Sequence, residues 1–402
     1  MADREYTVAR QAESTARQLQ WDSRFDGEEE AAAVPAVRRG RMDAPFLALT
    51  LILLVFGVVM ILSASFARAY YTMGDPTKYF IRQTAFAGGG TALMLVVSRM
   101  SVATFRRAAL PLLIASVGLL AIVPAVGARV NGAKRWIDLG FTTFQPSEIA
   151  KLAEVLIFSA MICAFKQRMK TVRYGVLPFV AVVAVFVALL VMEPHLSAIV
   201  IISAVAAIMM FAGGTRLYWF ALMGGGAAAF AYIALTKLQY ASERITAWLD
   251  PEAVAGDQGY QIMQSLYAIG SGGLFGLGLG QGRQKYLYLP MEHNDYIFSI
   301  CCEELGFIGA MLILSLFAML IVRGYWLALH ASSRFGSLVV TGLTSLLAIQ
   351  VFLNIAVVTN ILPSTGISLP FFSYGGTALL IQMAEMGIIL AISRDIPVSR
   401  RG

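Results

Sequence analysis

Four groups of residues in this 402-residue chain are equipped for chemistry. Asp295 stands in Pro290-Met291-Glu292-His293-Asn294-Asp295-Tyr296-Ile297-Phe298, where a long, mostly polar segment runs into an apolar one. A carboxylate there can cap the helix that follows. It can also act as a base, because a helix N-terminus favours its charged form while partial burial opposes it. Glu148, Lys151 and Glu154 are spaced by three inside an apolar run and share one helix face. Glu148 and Lys151 can neutralise each other there, either as a structural ion pair or as part of a site. Lys134, Arg135, Arg244, Arg283 and Lys285 form a basic set suited to phosphate oxygens, Arg through paired donors and Lys as a compact charge. The tract Gly270 to Gly282 holds seven glycines in thirteen residues. No Gly-Lys-Ser/Thr follows, so it is no phosphate-binding P-loop; it suits a flexible turn or a close backbone approach.

Other polar residues are read as support. Glu303 and Glu304 fall about two turns beyond Asp295 and suit a structural role, and Glu385 lies in a later apolar run. In Leu362 to Gly376, prolines and glycines interrupt an apolar stretch. Irregular backbone at membrane depth is tolerated against protein or a water-filled cavity, so this segment is expected to line the same cavity as Asp295. His195, after Glu193 and Pro194, fits an interface better than catalysis. Cys163, Cys301 and Cys302 sit in apolar stretches and imply no disulfide framework. The three His lack metal-ligand spacing, so a zinc site is not expected.

The elements that must position these residues are membrane helices. The chain is 58% hydrophobic and 14% charged, with a mean hydropathy of +0.71. That excludes a disordered chain, a collagen-like fibre and an ordinary soluble enzyme. With about 20 apolar residues needed to cross a bilayer, ten spans are expected: 44–66, 82–98, 108–127, 146–165, 174–192, 196–213, 217–236, 296–322, 336–362 and 369–392. The expected fold is an all-α integral membrane protein of about ten helices, with a large extracytoplasmic loop, 237–295, between helices 7 and 8. Residues 1–43, with nine acids and seven bases, read as a polar cytoplasmic tail; 44–393 is the membrane domain and 394–402 a second cytoplasmic tail. The chain begins with no cleavable-signal pattern. With both ends placed in the cytoplasm, sixteen Lys and Arg near the spans fall inside and ten outside, the asymmetry expected of short cytoplasmic loops. The net charge of +7 therefore reads as orientation signal, not nucleic-acid binding.

Five motifs, in order, carry a resemblance: Asn131-Gly132-Ala133-Lys134-Arg135-Trp136-Ile137, Gln145 to Lys151, the glycine tract with Gly282-Arg283-Gln284-Lys285, Pro290 to Phe298, and Leu362 to Gly376. From about residue 44 to 393 the chain resembles the shape, elongation, division and sporulation (SEDS) family of membrane glycosyltransferases. The resemblance implies a peptidoglycan polymerase that uses lipid II at the outer face of the cytoplasmic membrane, with Asp295 at the position of the family's catalytic base. It implies that Glu148 and Lys151 match the family's polar pair near the cavity. Lys134, Arg135, Trp136, Arg244, Arg283, Lys285 and Ser373 join them as substrate-binding residues. It also implies a class B penicillin-binding protein, a transpeptidase, as partner, with other division proteins. Asn294-Asp295-Tyr296 replaces the Thr-Asp-Phe of many members, and Thr365 replaces the Lys of many division-type members. Met73-Gly74-Asp75-Pro76 with Tyr79-Phe80 and Arg82-Gln83 looks more like the division and sporulation branch.

In that chemistry the acceptor 4-hydroxyl attacks the donor anomeric carbon, Asp295 takes the proton, and the basic set offsets charge on the departing pyrophosphate. A divalent cation, Mg or Mn, could share this role, with only scattered carboxylates to hold it. Two other readings use the same residues: a transporter that flips lipid II, and a non-enzymatic division scaffold. An internal inverted repeat would favour the transporter, and none is evident.

Overall fold

The computed structural model describes residues 40–130, 133–140, 142–226, 239–252 and 258–396. The two polar tails therefore lie largely outside the described residues, as do Asn131, Gly132 and the second half of the expected seventh span.

Helices α1 (Ala44–Met73), α2 (Lys78–Val97) and α3 (Val102–Val126) open the bundle. Asp43 starts α1 by accepting from the Phe46 N–H at 2.9 Å, with Pro45 in the first turn, and Gly74 ends it at φ 69°. Ser101 caps α3 in the same way. Strands β1 (Ala128–Val130), β2 (Ala133–Asp138) and β3 (Thr143–Phe144) then form a small antiparallel sheet. This sheet is a departure from the expected all-α fold. Asn131-Gly132 between alternating residues is a hairpin signal, and pairing gives this loop's backbone partners outside any helix.

Helix α4 (Pro146–Phe165) matches its expected span, starting on Pro146 in the first turn. Helices α5 (Leu177–Met192) and α6 (Leu196–Ala212) follow, then a helical stretch at 217–226. The segment before Asp295 carries α7 (Gln239–Leu249) and α8 (Gln258–Ser271). Helix α9 (Ile297–His330) runs for 34 residues, past the expected 322. Helices α10 (Arg334–Val358) and α11 (Gly376–Ser393) close the chain, separated by irregular backbone. Among the described residues seven helical runs are long and apolar enough to cross a membrane. The chain is thus a helical, multi-pass membrane protein. α4 has the length but carries three charges, and α6 is an apolar helix of 17 residues.

The core forms where α4, α6 and α9 meet α10, while α11 packs on α2 and α3 on α4. One end of the bundle is tied by polar bonds. Arg323 of α9 pairs with the fully engaged carboxylate of Asp43 at 2.6 and 3.1 Å and lies over the Trp326 ring. The Asp43 N–H donates to Ser393 Oγ at 3.1 Å, and Arg394 reaches the Gly40 and Ser98 carbonyls. These contacts join α1, α2, α9 and α11 where their spans terminate.

At the other end α9 is opened at Gly306, which has φ 67° and ψ −170°. The Phe307 and Ile308 N–H groups cannot reach back to Glu303 and Glu304. They donate instead to Gly273 and Leu274 at 2.8 and 3.2 Å. The freed Glu303 and Glu304 carbonyls accept from Leu277 and Gly278, each at 3.0 Å. The glycine tract thus fills a gap two rungs wide in the helix ladder. Glycine is required because the backbones touch: a Cβ on Gly276 would lie 2.1 Å from the Glu304 carbonyl oxygen, whereas one on Gly273 would meet open space. Both have positive φ, so an alanine carries a strain of about 1–3 kcal/mol at either site. Gly276→Ala is therefore expected to lower the melting temperature in detergent well beyond Gly273→Ala. Equal melting temperatures for the two variants would show that this contact does not hold the helix break together.

Candidate functional site

Asp295 lies two residues before α9, whose N-cap is Tyr296 with no side-chain cap bond. The capping role open to Asp295 from sequence is thus not the one it takes. Its backbone carbonyl is held by Asn354 of α10, whose Nδ2 donates to Asp295 at 2.8 Å and to the Ile367 carbonyl at 2.7 Å. Asn354 is fully buried. It therefore fixes the Asp295 segment against the irregular segment between α10 and α11. Ser373 adds a second tie: its hydroxyl accepts from the Leu369 N–H and donates to the Asn294 carbonyl, both at 2.7 Å. The Tyr374 N–H donates to the His293 carbonyl at 2.9 Å, and Gln83 of α2 bonds the Ser373 carbonyl at 3.3 Å. Gly366, at φ 70°, presents bare backbone to the carboxylate, since a Cβ there would sit 3.3 Å from Asp295 Oδ2.

Basic side chains lie within electrostatic reach of this carboxylate. Burial raises the Asp295 pKa above the ordinary carboxylate value, and Arg244, His293 and Arg135 oppose the rise. Arg244 comes from α7, anchored on the irregular segment by a bond to the Ser364 carbonyl. Trp248, one turn further, donates to the Asn360 carbonyl at 3.1 Å. Arg135 projects from β2 onto the Glu193 and Pro194 carbonyls between α5 and α6. Burial pushes Glu193 up to about 8 against the pull of Arg135. His195 is pushed well down by burial first, then by Arg135 and Lys151, and its Nε2 lies 3.3 Å from Gln145 Nε2. His195 is thus a buried junction residue, as expected.

The pair on α4 forms as read: Lys151 Nζ lies 2.7 Å from Glu148 Oε2, with Lys151 almost wholly buried. Glu154, one turn deeper, is buried with neither oxygen bonded. Glu385 of α11 lies within electrostatic reach of Lys151 and Glu148. A line of polar side chains therefore runs from α4 through His195 and Arg135 toward Asp295.

Three residues expected to bind substrate have other partners. Lys285 is 2% exposed and pairs with Glu304 at 2.7 Å and Ser63 at 3.1 Å, which removes it from the anion-facing set. This is a correction: a lysine buried against a carboxylate cannot also contact a pyrophosphate. Lys134 donates to the Pro124 carbonyl at 3.1 Å, completing the C-terminus of α3. The Ser373 hydroxyl is engaged by backbone on both sides, as above. Trp136 is half-buried on β2 opposite Ala128, and the Arg283 side chain is exposed. Glu303 and Glu304 are structural, as read, accepting from the N–H groups of Gly280, Gly282, Arg283 and Gln284.

The sequence reading missed two positioning groups. Asn354, an amide inside an apolar run, was a visible signal. Arg68 of α1 clamps the fully buried Glu292 at 2.7 and 2.8 Å, three residues before Asp295, and lowers its pKa together with His293 against the effect of burial. His293 packs against the Tyr79 ring at 4.8 Å. Among the described residues no three His, Cys, Asp or Glu side chains gather as a metal cage.

Known proteins share this architecture. The family model for FtsW, RodA and SpoVE, described as cell cycle protein, matches residues 44–396. A protein named probable peptidoglycan glycosyltransferase FtsW from Trichlorobacter lovleyi is 39% identical over 366 residues, covering 90% of this chain and 96% of that one. Stage V sporulation protein E of Bacillus subtilis is 39% identical over 355 residues, 88% of this chain and 97% of its own. Among solved structures, a chain of a peptidoglycan synthase complex that coordinates polymerization and crosslinking superimposes with a TM-score of 0.72 at 29% identity, covering 88% of this chain and 98% of that chain. The rod shape determining protein RodA of Thermus thermophilus gives 0.66 at 28% identity, over 88% of this chain and 97% of its own. Matched along its whole membrane part and in fold, the chain belongs to the FtsW/RodA/SpoVE family.

Proposed function

We propose that this chain is a peptidoglycan glycosyltransferase that polymerises lipid II at the outer face of the cytoplasmic membrane during cell division, with Asp295 as general base. The observation that carries the reading is the partly buried Asp295 carboxylate, within electrostatic reach of Arg244, His293 and Arg135 and facing the bare backbone of Gly366. The relatives' names, FtsW most of all, agree with it. Residues 44–393 are the catalytic membrane domain, and both termini are cytoplasmic. A class B penicillin-binding protein that crosslinks the strands is the partner, alongside other division proteins; the structural relative's synthase complex supports this.

The step balances on these residues. The acceptor 4-hydroxyl oxygen bonds to the donor anomeric carbon as the bond from that carbon to pyrophosphate oxygen breaks. The hydroxyl proton passes to Asp295, and undecaprenyl pyrophosphate leaves. A single displacement inverts the anomeric centre. Arg135 and Arg244 offset the charge that grows on the leaving group, with Trp136 and Lys134 beside Arg135 on β2. The Glu148–Lys151 pair holds the α4 side of the cavity polar without a net charge.

Labelled lipid II with the purified protein, with and without its transpeptidase, tests the reading. Polymer on a gel is expected; lipid II flipping in liposomes without polymer would make the chain a transporter. Asp295→Asn should lower polymerisation about 10²–10⁴-fold while the protein stays folded; a parental rate would remove the base assignment. The working form of Asp295 is the carboxylate, so rate should fall as pH drops through its raised pKa. Arg244→Gln removes a cation that lowers this pKa, so the acid limb should move to higher pH; an unmoved limb would detach Arg244 from Asp295. Glu148→Ala strands a buried Lys151 and should cost about 3 kcal/mol. Unchanged melting temperature together with unchanged activity would make that pair incidental.

A further inference from the structure

The segment that fills the break in α9 has side chains facing outward that suit no aqueous loop. Phe275 is 81% exposed, Leu274 63% and Leu279 54%, with Leu277 beside them. They continue the exposed apolar face of α9 at Phe307 and Ile308.

Depth follows from α9 itself. Arg323, tied to Asp43, marks the level at which the spans end. Phe307 lies sixteen residues along the helix from it, beyond any effect of the Gly306 break, which is ~24 Å at ~1.5 Å per residue. The hydrocarbon core is about 30 Å thick. Gly273 and Leu274, bonded to Phe307 and Ile308, therefore sit inside that core, on the Asp295 side.

Irregular backbone is excluded from hydrocarbon because its polar groups lack partners there. Here the partners are built in. The N–H groups of Gly276, Leu277, Gly278 and Gln281 donate to carbonyls, and those of Gly280, Gly282, Arg283 and Gln284 to the Glu303 and Glu304 carboxylates. The buried cation of this segment, Lys285, is matched to Glu304 and Ser63. Tyr286 and Tyr288, exposed where the segment climbs away, are the amphipathic rings found at a membrane boundary.

We propose that residues 272–288 form a re-entrant wedge whose apolar side chains lie among the phospholipid acyl chains of the leaflet on the Asp295 side. The wedge stands independently of the glycosyltransferase reading.

Nitroxide labels on the full-length protein in phosphatidylcholine vesicles test it. The native cysteines are buried, so thiols introduced by Phe275→Cys and Leu279→Cys on exposed positions label selectively. Ile114→Cys, exposed in the middle of α3, supplies the lipid reference, and Asp75→Cys in the α1–α2 turn the water reference. Both wedge labels should collide with dissolved oxygen several-fold more than with a water-soluble nickel complex, as at Ile114→Cys. Nickel accessibility equal to that of Asp75→Cys would place the wedge in water and overturn the proposal. Exclusion of both reagents would show that protein covers the face, which would overturn it as well.

Discussion

Two carbonyl groups from segments far apart in the chain share one amide, that of Asn354, and the site depends on this sharing. Asp295 and Ile367 belong to irregular backbone, which has no ladder of its own to fix it. A fully buried donor with two acceptors holds both segments at one spacing, and leaving either carbonyl unmet in the membrane would carry a large desolvation penalty. Ser373 and Gln83 repeat the device one residue away, Ser373 on the Asn294 carbonyl and Gln83 on the Ser373 carbonyl. The Asp295 carboxylate is thereby positioned through its backbone, within electrostatic reach of Arg244 and Arg135. Rigid backbone is what a base needs.

The same economy governs charge elsewhere. Four buried or half-buried carboxylates meet a partner that is either an opposite charge or an array of amides, whereas Glu154 and Glu193 have neither oxygen hydrogen-bonded. Glu148 meets Lys151, Glu292 meets Arg68, Glu304 meets Lys285, and Glu303 meets backbone N–H groups. Sequestered pairs of this kind contribute little net stability but much specificity of arrangement. They determine which helices are neighbours: α1 with the Asp295 segment through Arg68, and α1 again with α9 and the glycine tract through Ser63.

Local patterns were legible where local forces decide. Pro146 and the apolar run after it mark α4 to the residue, and the Glu148–Lys151 pair follows from helical spacing alone. The interruption at Leu362 to Gly376 was visible in its prolines and glycines, as was its place near Asp295. Non-local forces hid the rest. Lys285 finds Glu304 nineteen residues away and Ser63 on another span, a pairing that no periodicity announces. The helix α9 outruns its expected span because Arg323 and Gly324 end the apolar run while the helix continues to His330. The pairing of β1 with β2 did carry a mark, the Asn-Gly turn signal between them in the sequence.

The polar clasp of Asp43, Arg323, Ser393 and Arg394 binds the spans at one end, and no comparable knot ties α5 or the 217–226 stretch to them among the described contacts. The Asp295 end is riveted too, by Arg68 on Glu292 and by Asn354 on the Asp295 and Ile367 carbonyls, so α1, α9, α10 and α11 make a frame fastened at both rims, against which α5 and the 217–226 stretch lean as outer staves.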